Sequence, residues 1–420
     1  MSTEAHIRPA GLPHAVFLQR VADEPATSPE VRLGQGAFLA LRFVDLLSAD
    51  REAPAPDVFR YQWAATERYC AELQGEGTEA AHLSGIVRAT GEAHRTNEVQ
   101  VVAPALLAYA HHLEQESHFQ EAEDALVTLI DVGGDRLPAS DAIAAWLRLG
   151  RVRRLQADFS RANTAYLEAK RIAAAAGDQP SELLSRIGQC NVLYFQGNLP
   201  EAERGWRGVL ADAKAGVHRS AEAYAEHGLG TVLQRRGQAH EGAPHLWRAY
   251  ELYEDETAQL RVLNDLGIVL LSLGDVDGAE RALSEVARRD RMGENLINAL
   301  IELMHCASFR RDRVGFERWR EQCLDHLDTM LPNLRADYHL KVAIGLARFG
   351  NYSKAETHSR AALEIASAHG LHELVFRIER ISHGLRDCKT PEHVEGVPAE
   401  PVQWSEALRE VSASLAALSA

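Results

Sequence analysis

Residues 197–202 read GNLPEA: a glycine, an amide, an apolar residue, a proline, then Glu-Ala. Glycine can take the left-handed conformation that ends a helix. Asn suits the cap of a following helix, and Ala202 offers a small side chain where two helices must approach closely. The same order recurs as SHFQEA (117–122), ADFSRA (157–162), GQAHEG (237–242), GDVDGA (274–279) and GNYSKA (350–355). The closing small residues Ala122, Ala162, Ala202, Gly242 and Ala279 are 40, 40, 40 and 37 residues apart. The 76 residues from Ala279 to Ala355 hold two more steps, so a degenerate copy is expected to end near Phe316, in FRRDRVGF. A fixed period of this length signals stacked repeats, each covering the apolar face of its neighbour.

The flanks repeat too. Twelve positions before each closing residue stands Ala110, Gly150, Cys190, Gly230, Gly267 or Ala343, inside an apolar helical stripe. Four and seven positions after it come apolar or small residues, as in Leu126/Leu129, Tyr166/Ala169, Trp206/Val209, Leu246/Ala249 and Leu283/Val286. That spacing is one face of a helix. Each unit therefore reads helix, tight turn, helix, with Gly197, Gly237, Gly274 and Gly350 at the turns and Asn198, Asp275 and Asn351 positioned as caps.

These residues resemble the tetratricopeptide repeat (TPR). Trp146, Leu149 and Gly150 match its Trp-x2-Leu-Gly element, and the Glu-Ala and Gly-Ala motifs match its turn. The resemblance covers roughly residues 103–388. The step is nearer 40 than the family's usual 34, and the repeat-end proline is mostly missing, as in the long-repeat variants of bacterial regulators. It implies an all-α, right-handed α-solenoid of about seven TPR-like helix hairpins with a helical N-terminal cap. A HEAT-type solenoid is the competing architecture. A helical N-terminal bundle followed by about seven long repeats is also similar in layout to Rap-type peptide-sensing regulators.

The domain expectations follow. Residues 1–31 carry four prolines and read as an extended or disordered arm. Residues 32–102 read as a helical bundle or degenerate repeats, with helices expected at 35–49, 57–74 and 78–93. The solenoid spans 103–388, and KTPEHVEGVPAEPVQ (389–403) is a Pro/Glu-rich linker. Residues 404–420 form an amphipathic helix in which Trp404, Leu408, Val411, Leu415 and Leu418 share one face. That helix either folds back as a cap or docks in a groove or on a second subunit, the last giving a homodimer.

With 420 residues and 46% hydrophobic content, the chain can bury a large core; sparse aromatics (6%) suit packed helices. A net charge of −15 argues against direct nucleic-acid or membrane-surface binding. Five dispersed cysteines without a CxxC suggest free thiols in a reducing compartment. The first residues lack the order of a signal peptide and no long apolar run occurs, so a cytoplasmic location is expected.

No catalytic motif is found, and no cofactor or metal site is expected. Gly228-Leu229-Gly230 lacks the third glycine of a dinucleotide loop. His111 and Glu114 share a helix face near His112 and His118, but their spacing does not assure three-ligand geometry, and solvated helix histidines are the expected reading. The TPR resemblance implies that the first helix of each hairpin lines a concave face. There the chain places His111 and Glu114, then Arg148, Arg151 and Arg154, then Asn191 and Tyr194, then His227, Thr231, Gln234 and Arg235, then Asn264. Arg148, Arg151 and Arg154 share a helical face, and Arg forks bind carboxylates bidentately. An Asn amide can hold both polar groups of a peptide backbone. The expected function is a scaffold or adaptor holding a protein or peptide that is extended and acidic or ends in a free carboxylate. The competing view of the face is a solvated surface whose arginines pair with acids such as Glu114 or Asp158. The alternative function is a peptide- or ligand-responsive regulator, and an enzyme is the least supported class. The basic cluster at 309–320 alternates with acids and reads as a surface face.

Overall fold

The computed structural model describes residues 12–21, 28–48, 56–290, 293–369, 371–386 and 405–418. The chain divides into two compact units, residues 1–197 and 198–420. Among the described residues the secondary structure is helical, without strands.

Unit 1 opens with α1 (Ala15–Leu18), α2 (Pro29–Val44), α3 (Pro56–Glu72) and α4 (Thr78–Thr96). The first long helix starts six residues earlier than the apolar stripe suggests. Ser28 accepts a hydrogen bond from the Val31 amide and Pro29 sits in the first turn, a start signal independent of hydrophobic period. Hairpins follow: α5 (Ala103–Gln115) with α6 (Phe119–Gly133), then α7 (Ala139–Leu155) with α8 (Phe159–Ala176), then α9 (Gln179–Phe195). One apolar core runs from Phe17 through Leu41, Ile86 and Leu106 to Ala169, so the N-terminal helices share their interior with the first hairpins.

Within the stretch expected as an arm, residues 12–21 are packed down. Phe17 is fully buried and its ring stacks 6.3 Å from that of Tyr109. Arg20 donates to Glu79 at 2.9 and 3.2 Å and to Glu121 at 2.8 Å. His14 contacts Asp124 at 2.5 Å and Asp45 at 3.3 Å, and Arg42 lies 3.8 Å from the same Asp45 oxygen. Residues 1–11 lie outside the described residues.

Burial works against a charged His14, but the two carboxylates outweigh it and raise its pKa above the ordinary imidazole value. A folded-state pKa above the unfolded one stabilises the fold fully below the unfolded value and loses that contribution as pH rises through the folded value. Unit 1 is therefore expected to lose stability as pH climbs from about 6.5 upward. His14→Gln should flatten that limb of the melting-temperature profile; an unchanged slope would remove His14 from the account.

Unit 2 comprises α10 (Leu199–Ala215), α11 (Arg219–Arg235), α12 (Ala239–Leu252), α13 (Glu256–Ser272), α14 (Val276–Arg289), α15 (Glu294–Phe309), α16 (Arg313–Leu324), α17 (Pro332–Arg348), α18 (Tyr352–Ala368), α19 (His372–Arg386) and α20 (Glu406–Leu418). The turns confirm the period. Ser117, Ala157, Gly197, Gly237, Gly274, Arg311 and Gly350 all have positive φ, one per expected repeat. The degenerate copy is where the spacing puts it: Arg311 takes the glycine conformation and Phe316 fills the alanine slot. The larger ring is accommodated because Gly345, on the next hairpin's first helix, has no Cβ to strike it.

Small residues do what close approach requires. A Cβ on Gly150 would lie 2.8 Å from the Tyr166 ring, and one on Gly267 would lie 2.7 Å from Leu283. Gly228 lies under Trp206 and Gly230 under Leu246, so packing accounts for both members of the Gly-Leu-Gly run. Asp275 and Asn351 cap their helices as expected, but Asn198 makes no side-chain cap bond. The described cysteines Cys70, Cys190, Cys306 and Cys323 are buried free thiols. Burial pushes the Cys190 thiol up to about 12.

The C-terminal helix folds back within unit 2. Leu408, Val411 and Leu415 are buried in the core that holds Leu246 and Leu283, against α12 and α14. Trp404 and the linker 389–403 lie outside the described residues. The same apolar face that would join a second subunit is thus covered by this chain's own second helices.

Candidate peptide-binding face

In unit 1 the site is built on α5, α7 and α9. Glu114, at the last turn of α5, is buried and accepts from two arginines of α7: Arg148 at 2.7 Å, and Arg151 through Nε. Arg148 also donates to His111 Nδ1 at 2.9 Å. Burial, then Arg148, hold the His111 pKa below its ordinary value. An arginine can only donate, so the neutral ring accepts at Nδ1 and carries its proton on Nε2. Two guanidinium groups thus share one carboxylate, and Arg151 keeps about half of its side chain (52%) in solvent.

Arg154 does not join them. Its guanidinium lies 4.8 Å above the Phe195 ring, and its buried Nε has no hydrogen-bond partner. Tyr194 meets the same Phe195 edge-on at 5.3 Å. Asn191 is half-buried with no hydrogen bond to the described residues. Arg153 faces elsewhere and pairs with Glu123 at 3.0 Å, whereas Asp158 caps α8. The reading of arginines paired with acids therefore holds for Arg148 and Arg151 on Glu114, and it does not describe Arg154. Phe195 escaped notice because an exposed aromatic at a helix end carries no periodic signal.

In unit 2 the expected residues behave differently. His227 Nε2 contacts Asp265 at 2.7 Å, and Nδ1 contacts the Tyr253 hydroxyl at 3.2 Å. The Thr231 hydroxyl donates to its own helix at the Gly228 carbonyl, 3.0 Å away. Arg235 is half-buried at the end of α11 and is engaged within the fold. Asn264, expected on the exposed face, is only 2% exposed and donates to the Asn295 carbonyl at 3.0 Å. It holds α13 to the start of α15 and is not accessible to a partner. The reason is that α13 is buried on nearly every side, with the start of α15 over Asn264.

More acid lies among these helices than the sequence reading placed there. Glu226 is buried between Lys214 (3.0 Å) and His245 (2.5 Å). Burial would raise its pKa, but those two bonds prevail and lower it. Glu302 and Lys341 form a buried pair at 3.0 Å on α15 and α17. The basic cluster at 309–320 is engaged inside unit 2: Arg310 pairs with Glu280 at 3.1 Å, Arg311 donates to the Arg348 carbonyl, and Arg320 pairs with Glu317 at 2.7 Å. Among the described residues no three His, Cys, Asp or Glu side chains converge as metal ligands, and no helix is long and apolar enough to cross a membrane.

No protein-family model matches the sequence, and no curated protein matches it. Solved structures do. The apo form of the quorum sensor NprR from B. thuringiensis is similar with a TM-score of 0.52 at 10% identity, over 78% of this chain and 97% of that one. The apo form of RapI gives a TM-score of 0.52 at 11% identity, over 80% of this chain and 96% of that one. The Rap conjugation gene regulator of plasmid pLS20, solved with a Phr peptide, gives 0.50 at 12% identity, over 80% and 97%. At these identities the likeness is one of fold: this chain has the TPR-like helical-hairpin fold of the Rap and NprR regulators.

Proposed function

We propose that this protein is a non-catalytic, cytoplasmic binding protein. Its unit 1 face, built from Arg148, Arg151, Arg154, Asn191 and Tyr194, holds an extended peptide or protein segment. The observation that carries this is the polar capacity left over there. The Asn191 amide has no partner among the described residues, and Arg151 stays half in solvent although it touches Glu114. A carboxylate would take the arginine donors, and a peptide backbone would satisfy the Asn191 amide. The fold shared with a quorum sensor and with a regulator solved with a peptide favours a regulatory outcome of that binding.

The test is fluorescence anisotropy with a labelled pool of acidic hexapeptides bearing free C-termini. Arg151→Gln combined with Asn191→Ala is expected to weaken binding at least about tenfold, a loss of about 1.4 kcal/mol, with helicity unchanged by circular dichroism. Equal affinity of the variant, or no binding by the parent protein, would remove the proposal. The same titration followed by small-angle scattering separates regulator from static adaptor: the regulator changes its dimensions when saturated.

A further inference from the structure

A second concavity in unit 1 lies between α3 and α4, with Val101 in its lining. Its volume is about 910 Å³. This falls within the range of small-molecule sites. The walls are Phe59, Trp63, Ala89 and Val101, and α4 contributes two glycines. A Cβ on Gly91 would lie 3.1 Å from the Trp63 indole, so that ring lies against bare helix backbone. A Cβ on Gly85 would meet nothing within 4 Å, so the cavity reaches down to the α4 main chain. The His94 ring stacks on Phe59 at 3.6 Å, at an interplanar angle of 14°. Trp63 remains 37% exposed, although a large apolar ring gains from burial.

Three arginines and one acid, Glu92, line the rim. Arg60 pairs with Asp57 on its own helix, and Arg95 pairs with Glu92 at 3.0 Å. Arg88 is exposed and has no carboxylate partner among the described residues. Flat aromatic walls suit a flat apolar body, and an arginine fork without an anion suits a carboxylate.

We propose that this pocket binds a planar aromatic monocarboxylate, its ring system against Trp63 and the α4 backbone at Gly85, its carboxylate on Arg88. The pocket lies on α3 and α4, so the inference stands apart from the peptide-binding reading.

The probe is 2-naphthoate, titrated calorimetrically into the full chain, with neutral 2-naphthol as its control. Naphthoate is expected to bind at one site, at least fivefold tighter than naphthol. Arg88→Gln should bring naphthoate down to the naphthol level. A Cβ at Gly85 meets nothing within 4 Å and the glycine lies inside a helix, so Gly85→Leu should keep its helicity and, by filling the pocket, lose both ligands. Trp63→Leu should weaken both ligands alike. Absence of naphthoate binding up to millimolar concentration, equal affinity for naphthol, or undiminished binding by a folded Gly85→Leu protein would each overturn the proposal.

Discussion

Arg20→Ala is expected to lower the stability of unit 1 by about 3–5 kcal/mol. In a unit of this size that corresponds to about 6–20 °C in melting temperature. The Arg20 side chain is 8% exposed and bridges Glu79 and Glu121, themselves 10% and 7% exposed. The Tyr109 hydroxyl donates to Glu79 at 2.7 Å, so one guanidinium and one phenol satisfy a buried two-carboxylate cluster. Deleting the cation leaves two mostly buried acids facing each other without the guanidinium between them. The desolvation cost already incurred is then uncompensated. Arg20→Lys should fall between, because one ammonium cannot present a planar fork to two partners. The loss belongs to unit 1, so hydrogen exchange should quicken in α1, α4 and α6 first. A melting temperature within a degree of the parent's would mean that the cluster contributes nothing net.

This arginine shows where sequence reading stops. Residues 1–31 read as an arm because four prolines break every helical period. Three side chains nevertheless hold residues 12–21 in place: Phe17 in the core, His14 between Asp45 and Asp124, and Arg20 between Glu79 and Glu121. Glu79 and Glu121 are 59 and 101 residues away along the chain. No local pattern reports such a contact.

The second large effect is expected in unit 2. Lys341→Met should cost about 3–5 kcal/mol, because it strands Glu302 in the interior. Lys341 and Glu302 are 5% and 4% exposed at the side chain, and the ammonium donates to both carboxylate oxygens at 3.0 and 3.1 Å. Adding Glu302→Leu to Lys341→Met should restore most of the loss, since a buried ion pair is no better than well-packed apolar groups of similar size. Denaturant midpoints of the two single variants and the double variant measure the coupling directly. A double variant no more stable than Lys341→Met alone would show that the site depends on something besides the pair. His305 lies in the same region, and burial and then Lys341 hold its pKa well below the ordinary value. It is neutral at physiological pH, and the pair is not in competition with a buried imidazolium.

The forty-residue step, the seven turns and the slot at Phe316 were legible from the chain alone. Each is a short-range requirement: a left-handed residue to reverse direction, a small residue twelve positions earlier, an apolar face at helical spacing. Such requirements repeat whenever the same hairpin is built, so they leave a period even where Arg311 and Phe316 replace the usual glycine and alanine. Folding settled which polar residues have donors to spare. Arg148 and Arg151 meet Glu114 across 34 and 37 residues, while Arg154, on the same helix, turns to Phe195. Asn264, read as outward, is covered, because α13 is buried on nearly every side and the start of α15 lies over this position. Spacing tells which side chains share a helix face; only packing against the neighbouring helices tells what that face meets.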